Sequence, residues 1–108
     1  MALTLPGGMI HRMYAAILHL SFPPENHTEV VRFLGAEMLP VIRDNDGFVD
    51  FRVMDAGVPG ELVMIDTWRR REDSEAAGAR PAAVHVHERY NALGITVSAA
   101  RRYEVVVP

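Results

Sequence analysis

The stretch from Gly47 to Arg71, GFVDFRVMDAGVPGELVMIDTWRRR, restricts what this chain can fold into more than any other segment. Gly57-Val58-Pro59-Gly60 is turn chemistry, because glycine supplies a positive φ and proline pre-sets φ for a tight reversal. On either side apolar and polar residues alternate with a period of two, so the segment reads as two strands joined by a turn. In the first strand Val49, Phe51 and Val53 point one way, and Asp50, Arg52 and Met54 the other. In the second, Val63, Ile65 and Thr67 share one face, opposite Met64, Asp66 and Trp68. The pair is expected to have one apolar face and one that mixes Arg, Asp, Met and Trp. A mixed face suits an interface or a pocket better than open solvent.

With 108 residues the chain is long enough for one core and too short for two. Residues 1–11 read as a loose lead-in and residues 12–108 as a single domain. Pro6-Gly7-Gly8 interrupts the short apolar stretch at the start, and no basic run precedes it as in a signal peptide. A hydrophobic content of 49% with 23% charged residues fits a globular chain and argues against disorder. Net charge is −3, every basic residue except histidine is Arg, and Arg69-Arg70-Arg71 is answered at once by Glu72 and Asp73. No basic stripe with interleaved aromatics exists, so nucleic acid is not an expected partner. No apolar run approaches the roughly 20 residues of a membrane span, so no membrane is expected either. The absence of cysteine removes disulfides, thiolate metal sites and cysteine nucleophiles together, and fits a cytoplasmic location.

Residues 12–22, RMYAAILHLSF, form an apolar run of strand formers that Pro23-Pro24 ends. Tyr14, Ala16, Leu18, Leu20 and Phe22 lie on one face, Met13, Ala15, Ile17 and His19 on the other. From Glu25 to about Asp44 the period changes: Val30, Leu34, Met38 and Val41 recur as the buried stripe of a helix does. Pro40 is expected to kink that helix, and Asn45-Asp46-Gly47 to stop it. Beyond the strand pair, Gly78 and Pro81 divide a second helical region into segments near 72–79 and 82–93, and Val97 to Val107 is a last strand. The order β-α-β-β-α-β predicts an α+β, ferredoxin-like domain, a four-stranded antiparallel sheet with helices on one face. Its other face is expected to carry Met13, Ile17, Met54, Met64 and Trp68, too apolar to leave wet. Packing two such sheets face to face in a homodimer covers it most economically.

From about Arg12 to Val107 the chain resembles the dimeric α/β-barrel proteins of the antibiotic biosynthesis monooxygenase type. The strand order carries the resemblance, together with P-V-I-R-D-N-D-G-F at 40–48, F-R-V at 51–53, I-D-T-W-R-R-R-E-D at 65–73 and a histidine-bearing second helix. It implies a cofactor-independent monooxygenase that removes a proton from an electron-rich phenol, quinol or anthrone and lets the anion meet dioxygen. Some haem-degrading relatives ligate iron through a histidine on this helix, with an Asn on the first strand and a Trp in the second helical region. Here Ala15, Ala16 and Ile17 occupy the strand, and Ala77 and Gly78 the Trp position, so haem degradation is disfavoured.

Trp68 either closes the end of the barrel or stacks on a flat aromatic ligand. On a helix Ala83, Val86, Tyr90 and Leu93 form one stripe; His87 lies at its edge, roughly 80° from the centre, and His85 about 120° away. Residues two apart on a helix do not face each other, so this His-x-His is a poor chelate and no metal is expected. His87 is the general-base candidate, since imidazole titrates near neutrality, unless it is a boundary residue with a wet edge. Tyr90 beside it could supply a phenol, and Trp68 and Tyr90 together could hold a flat ring. For substrate binding the candidates are Arg52 and Asp66, expected to face one another across the strand pair, with Asn91 and His19; Arg52 and Asp66 could equally form an interface salt bridge. No phosphate loop, nucleotide fingerprint or nucleophile elbow occurs, so no cofactor is expected and the substrate must supply the electrons for any oxidation. The alternatives are a non-catalytic dimer that binds a small hydrophobic or aromatic molecule and a haem-binding protein.

Overall fold

A computed structural model describes residues 12–107; the lead-in, including His11, lies outside the described residues. Four strands, β1 (Tyr14–Ser21), β2 (Phe48–Met54), β3 (Glu61–Trp68) and β4 (Thr96–Glu104), form one antiparallel sheet in the order β2-β3-β1-β4. Helical segments connect β1 to β2 and β3 to β4, as the alternation of periods requires. The first connection passes through a 3₁₀ turn (Pro24–Asn26), α1 (His27–Phe33), a π-helical turn (Leu34–Met38) and α2 (Leu39–Arg43). Pro40 explains the π turn. A regular α-helix would bring its ring against the carbonyl of residue 36 and leave that carbonyl without a donor. The wider turn just before it takes up the misfit without ending the coil. The second connection is α3 (Arg71–Gly78) and α4 (Pro81–Ala92), the latter with proline at its first position, where the missing N–H costs nothing.

The helices cover one face of the sheet. Val30, Phe33 and Leu34 are completely buried and meet Leu20, Leu62 and Met64 from the strands and Val86 and Tyr90 from α4. Burial of each such side chain contributes about 1.5–3 kcal/mol. The outermost strand, β4, is exposed along its whole length.

The faces of the β2–β3 hairpin differ from the sequence expectation. Phe51 stands opposite Asp66 and Val53 opposite Met64, so the apolar set of β2 shares a face with the mixed set of β3. Pairing to β1 puts that face under the helices, because Leu20 meets Leu62, Leu18 meets Met64, Ala16 meets Asp66 and Tyr14 meets Trp68. Met64 and Trp68, 6% and 2% exposed, therefore belong to the covered face and not to the open one. Alternation fixes which residues of a strand share a face, but the register between strands decides which face that is. A bulge between Phe48 and Asp50 also turns Val49 outward, where it is exposed. The open face carries Ile17, Val63, Ile65, Met54 and Tyr103, with Arg52 and His19 among them.

The hairpin tip is tied to α1 through His27, which is half-buried and not solvated as its position at a helix start suggests. Its Nδ1 accepts the Gly60 N–H at 3.0 Å, which leaves Nε2–H to donate to Asp55 Oδ2 at 2.8 Å. Gly57 and Gly60 both adopt positive φ, but a Cβ at Gly57 meets nothing, whereas one at Gly60 lies 2.6 Å from the Phe22 carbonyl oxygen. Gly57→Ala is thus expected to cost about 1–2 kcal/mol, the left-handed penalty alone. Gly60→Ala should cost distinctly more, because the backbone must also move. Thermal denaturation of the two variants checks the order; equal losses contradict it.

Candidate functional site

Between the covered face and the helices lies a cavity of about 210 Å³. Ala16, Leu18 and Met64 form its floor, Met38, Val41 and Ile42 one wall, and Ala77, Ala83 and Val86 another. Among the described residues it is polar only at Asp66, Arg102, His87, Ser74, Asn45 and the Trp68 indole N–H.

Trp68 is held from several sides. Phe48 packs edge-on against it, ring centroids 5.8 Å apart at 82°. Just beyond, the Arg69 N–H donates to the Gly47 carbonyl at 2.7 Å, and buried Asp73 accepts from Arg70 at 3.1 and 3.4 Å. A side chain at Gly47 would overlap the Asp73 carboxylate, so the turn after α2 and the start of α3 interlock there. The Trp68 Nε1–H donates to Asp66 Oδ2 at 2.7 Å.

Asp66 is the unusual group. Its Oδ1 is buried without a hydrogen-bond partner among the described residues. Burial raises its pKa above the usual carboxylate range, opposed by the Trp68 hydrogen bond and the charge of Arg102. Arg102 faces the same side of the sheet, since both it and Asp66 pair with Ala16.

The structure brings Trp68, Asp66 and His87 to one cavity and leaves the other candidates outside it. Arg52 is on the opposite face from Asp66, paired with Ile65 and bonded through Nε to Asp50 Oδ2 at 2.8 Å, so the expected Arg52–Asp66 pair does not form. His19 is exposed on the open face, between Val63 and Ala99. Tyr90 is a core residue: its ring packs edge-on against Phe33 and 5.7 Å from His87, but it does not line the cavity. Burial pushes its phenol up to about 12, so it stays protonated near neutrality. Asn91 is exposed on α4, away from the cavity. Arg102 was not singled out by its sequence context. The usable signal is the Arg101-Arg102 pair within a strand, which must send one cation to each face. Among the described residues no three His, Cys, Asp or Glu side chains gather as a metal site, and no helix is long and apolar enough to cross a membrane.

Residues 13–89 match the family model described as antibiotic biosynthesis monooxygenase, and the chain belongs to that family. No curated protein sequence matches. Among solved structures, SnoaB, a cofactor-independent oxygenase from Streptomyces nogalater, is 15% identical with a TM-score of 0.73, over 90% of this chain and 96% of that one. The monooxygenase from the gene ActVA-Orf6 of Streptomyces coelicolor, in complex with Nanaomycin D, is 14% identical with a TM-score of 0.72, over 91% and 89%. Rv0793 from Mycobacterium tuberculosis is 18% identical with a TM-score of 0.71, over 89% and 97%. At these identities the likeness establishes the fold.

Because the folded state favours the protonated form of Asp66, its contribution to stability is full below the ordinary carboxylate pKa. It is lost as pH rises through the raised value. Asp66→Asn cannot ionise and still offers an oxygen to Trp68. It should therefore melt a few degrees above the wild type at pH 7–8, with the difference shrinking toward pH 4. A thermal melt series across pH checks this; a variant less stable at pH 8 contradicts it.

Proposed function

We propose that the protein is a cofactor-independent monooxygenase acting on a small electron-rich phenol, quinol or anthrone. The observation that carries the reading is the apolar cavity backed by Trp68, whose few polar groups include two able to accept a proton, Asp66 and His87. Membership of the monooxygenase family supports it, as do the described activities of SnoaB and the ActVA-Orf6 protein on the same fold.

The chemistry needs little from the protein. An ionised phenol is rich enough in electrons to reduce dioxygen, so the site must take a proton, hold the ring and keep water out. Trp68 and the aliphatic walls do the second and third tasks. Pockets for drug-sized ligands are roughly 300–1,000 Å³. The smaller cavity here favours ring systems up to the size of an anthrone over larger polycycles. The cysteine-free composition fits work in the cytoplasm.

The reading includes a homodimer. Ile17, Val63 and Ile65 are only half-buried, and Met54 and Tyr103 are 46% exposed, all on the face without helices. A second sheet packed there would cover them and complete the barrel. Light scattering should give the mass of two chains, and Ile65→Glu at the centre of that face should give one; a monomeric wild type contradicts the barrel. Oxygen uptake with a panel of phenols, quinols and anthrones tests the activity. Uptake above autoxidation is expected, and Ala77→Leu, which fills part of the cavity, should raise KM about tenfold or more. A binding protein without activity would take up no oxygen and yet retain the ligands.

A further inference from the structure

The cavity offers two proton acceptors, and the geometry distinguishes them. Across one row of the sheet, on the helix side, stand Asp66 of β3, Ala16 of β1 and Arg102 of β4. Neighbouring strands lie about 4.8 Å apart, so an acid and a cation flank a methyl group across roughly 10 Å. Ala16 is the one small residue of the row, and it leaves room above the sheet for a ring. Trp68 occupies Oδ2 of Asp66, while Oδ1 has no partner among the described residues. A buried oxygen without a partner is destabilising, and more so when the group is charged. Such a cost persists where function requires the group. Arg102 makes no ion pair among the described residues and leaves its charge available at the cavity. His87 lines the same cavity from α4 but is, like Arg102, an exposed residue, whereas Asp66 is partly buried.

Resting on the monooxygenase reading, we propose that Asp66 is the catalytic residue that exchanges a proton with the substrate through Oδ1, and that Arg102 steadies the resulting anion. Asp66 takes the hydroxyl proton of a phenol, and the O–H electron pair stays on the aryloxide oxygen. The aryloxide passes one electron to dioxygen, and the two radicals join at the para carbon, forming a C–O bond and a peroxide anion. Asp66 returns its proton to that anion. Loss of the para C–H proton and cleavage of the O–O bond then form a C=O group and release water. Phenol and dioxygen become quinone and water, with all four electrons supplied by the phenol.

The titratable and charged groups on the cavity are Asp66, His87 and Arg102, and arginine does not titrate in the working range. An ascending limb in the pH dependence of kcat/KM that lies below the substrate's own ionisation therefore belongs to Asp66 or to His87. The test is that profile, measured by oxygen uptake with a phenol or anthrone for the wild type, Asp66→Asn and His87→Ala. We expect Asp66→Asn to lose about 10²–10⁴-fold in kcat, to keep KM within a few fold and to lose the ascending limb. His87→Ala should keep the limb. Wild-type turnover that survives Asp66→Asn, or a limb that disappears only in His87→Ala, would overturn this assignment and leave the monooxygenase reading standing. Absence of turnover in the wild type would overturn that reading and this step together.

Discussion

Because Ala16 stands opposite Asp66 in the β1–β3 ladder, Met64, Asp66 and Trp68 all point under the helices. A slip of one residue would send an acid and an indole to the open face and bring Val63, Ile65 and Thr67 inside. The core would then be more apolar but would contain no site. The register is secured at both ends of the hairpin. At the tip, His27 and the Phe22 backbone grip Gly60; at the base, Gly47, Arg69 and Asp73 interlock. The ties that stabilise the fold also place the polar groups of the cavity.

The cavity follows from side-chain sizes over that register. Where β1 and β3 present Leu20 and Leu62, helix and sheet meet directly. Two rows along, Ala16 leaves a gap, and Ala77 and Ala83 of the facing helices do not fill it. The gap lies beside a carboxylate of which one oxygen accepts the Trp68 indole N–H and the other has no hydrogen-bond partner among the described residues. An aliphatic residue at position 66 would pack there without that cost.

Much of this was legible in the sequence, and the exceptions share a cause. The stripe Val30–Leu34–Met38–Val41, the disturbance at Pro40, the turn from Gly57 to Gly60 and the split of the second helical region all rest on local chemistry, and each appears at its expected place. What failed depended on pairing between distant segments. The strand faces, the Arg52–Asp66 pair and the placing of Trp68 on the open face required a register that alternation alone cannot supply. A position at a helix start suggests solvent for His27, because its partners, Gly60 and Asp55, are some thirty residues away. Tyr90 sits on its stripe as read, but a stripe contains both core and cavity positions, and only the size of what lies opposite separates them.

Trp68 is the only tryptophan, so its emission reports on the cavity without assignment. The most direct test of the central claim, that an aromatic ring occupies the space against Trp68 and Asp66, is a fluorescence titration with a small naphthoquinone. Saturable quenching that Ala77→Leu weakens is the expected result. Quenching that rises linearly with quinone and is the same in that variant would show that the ring does not enter, and would contradict the account.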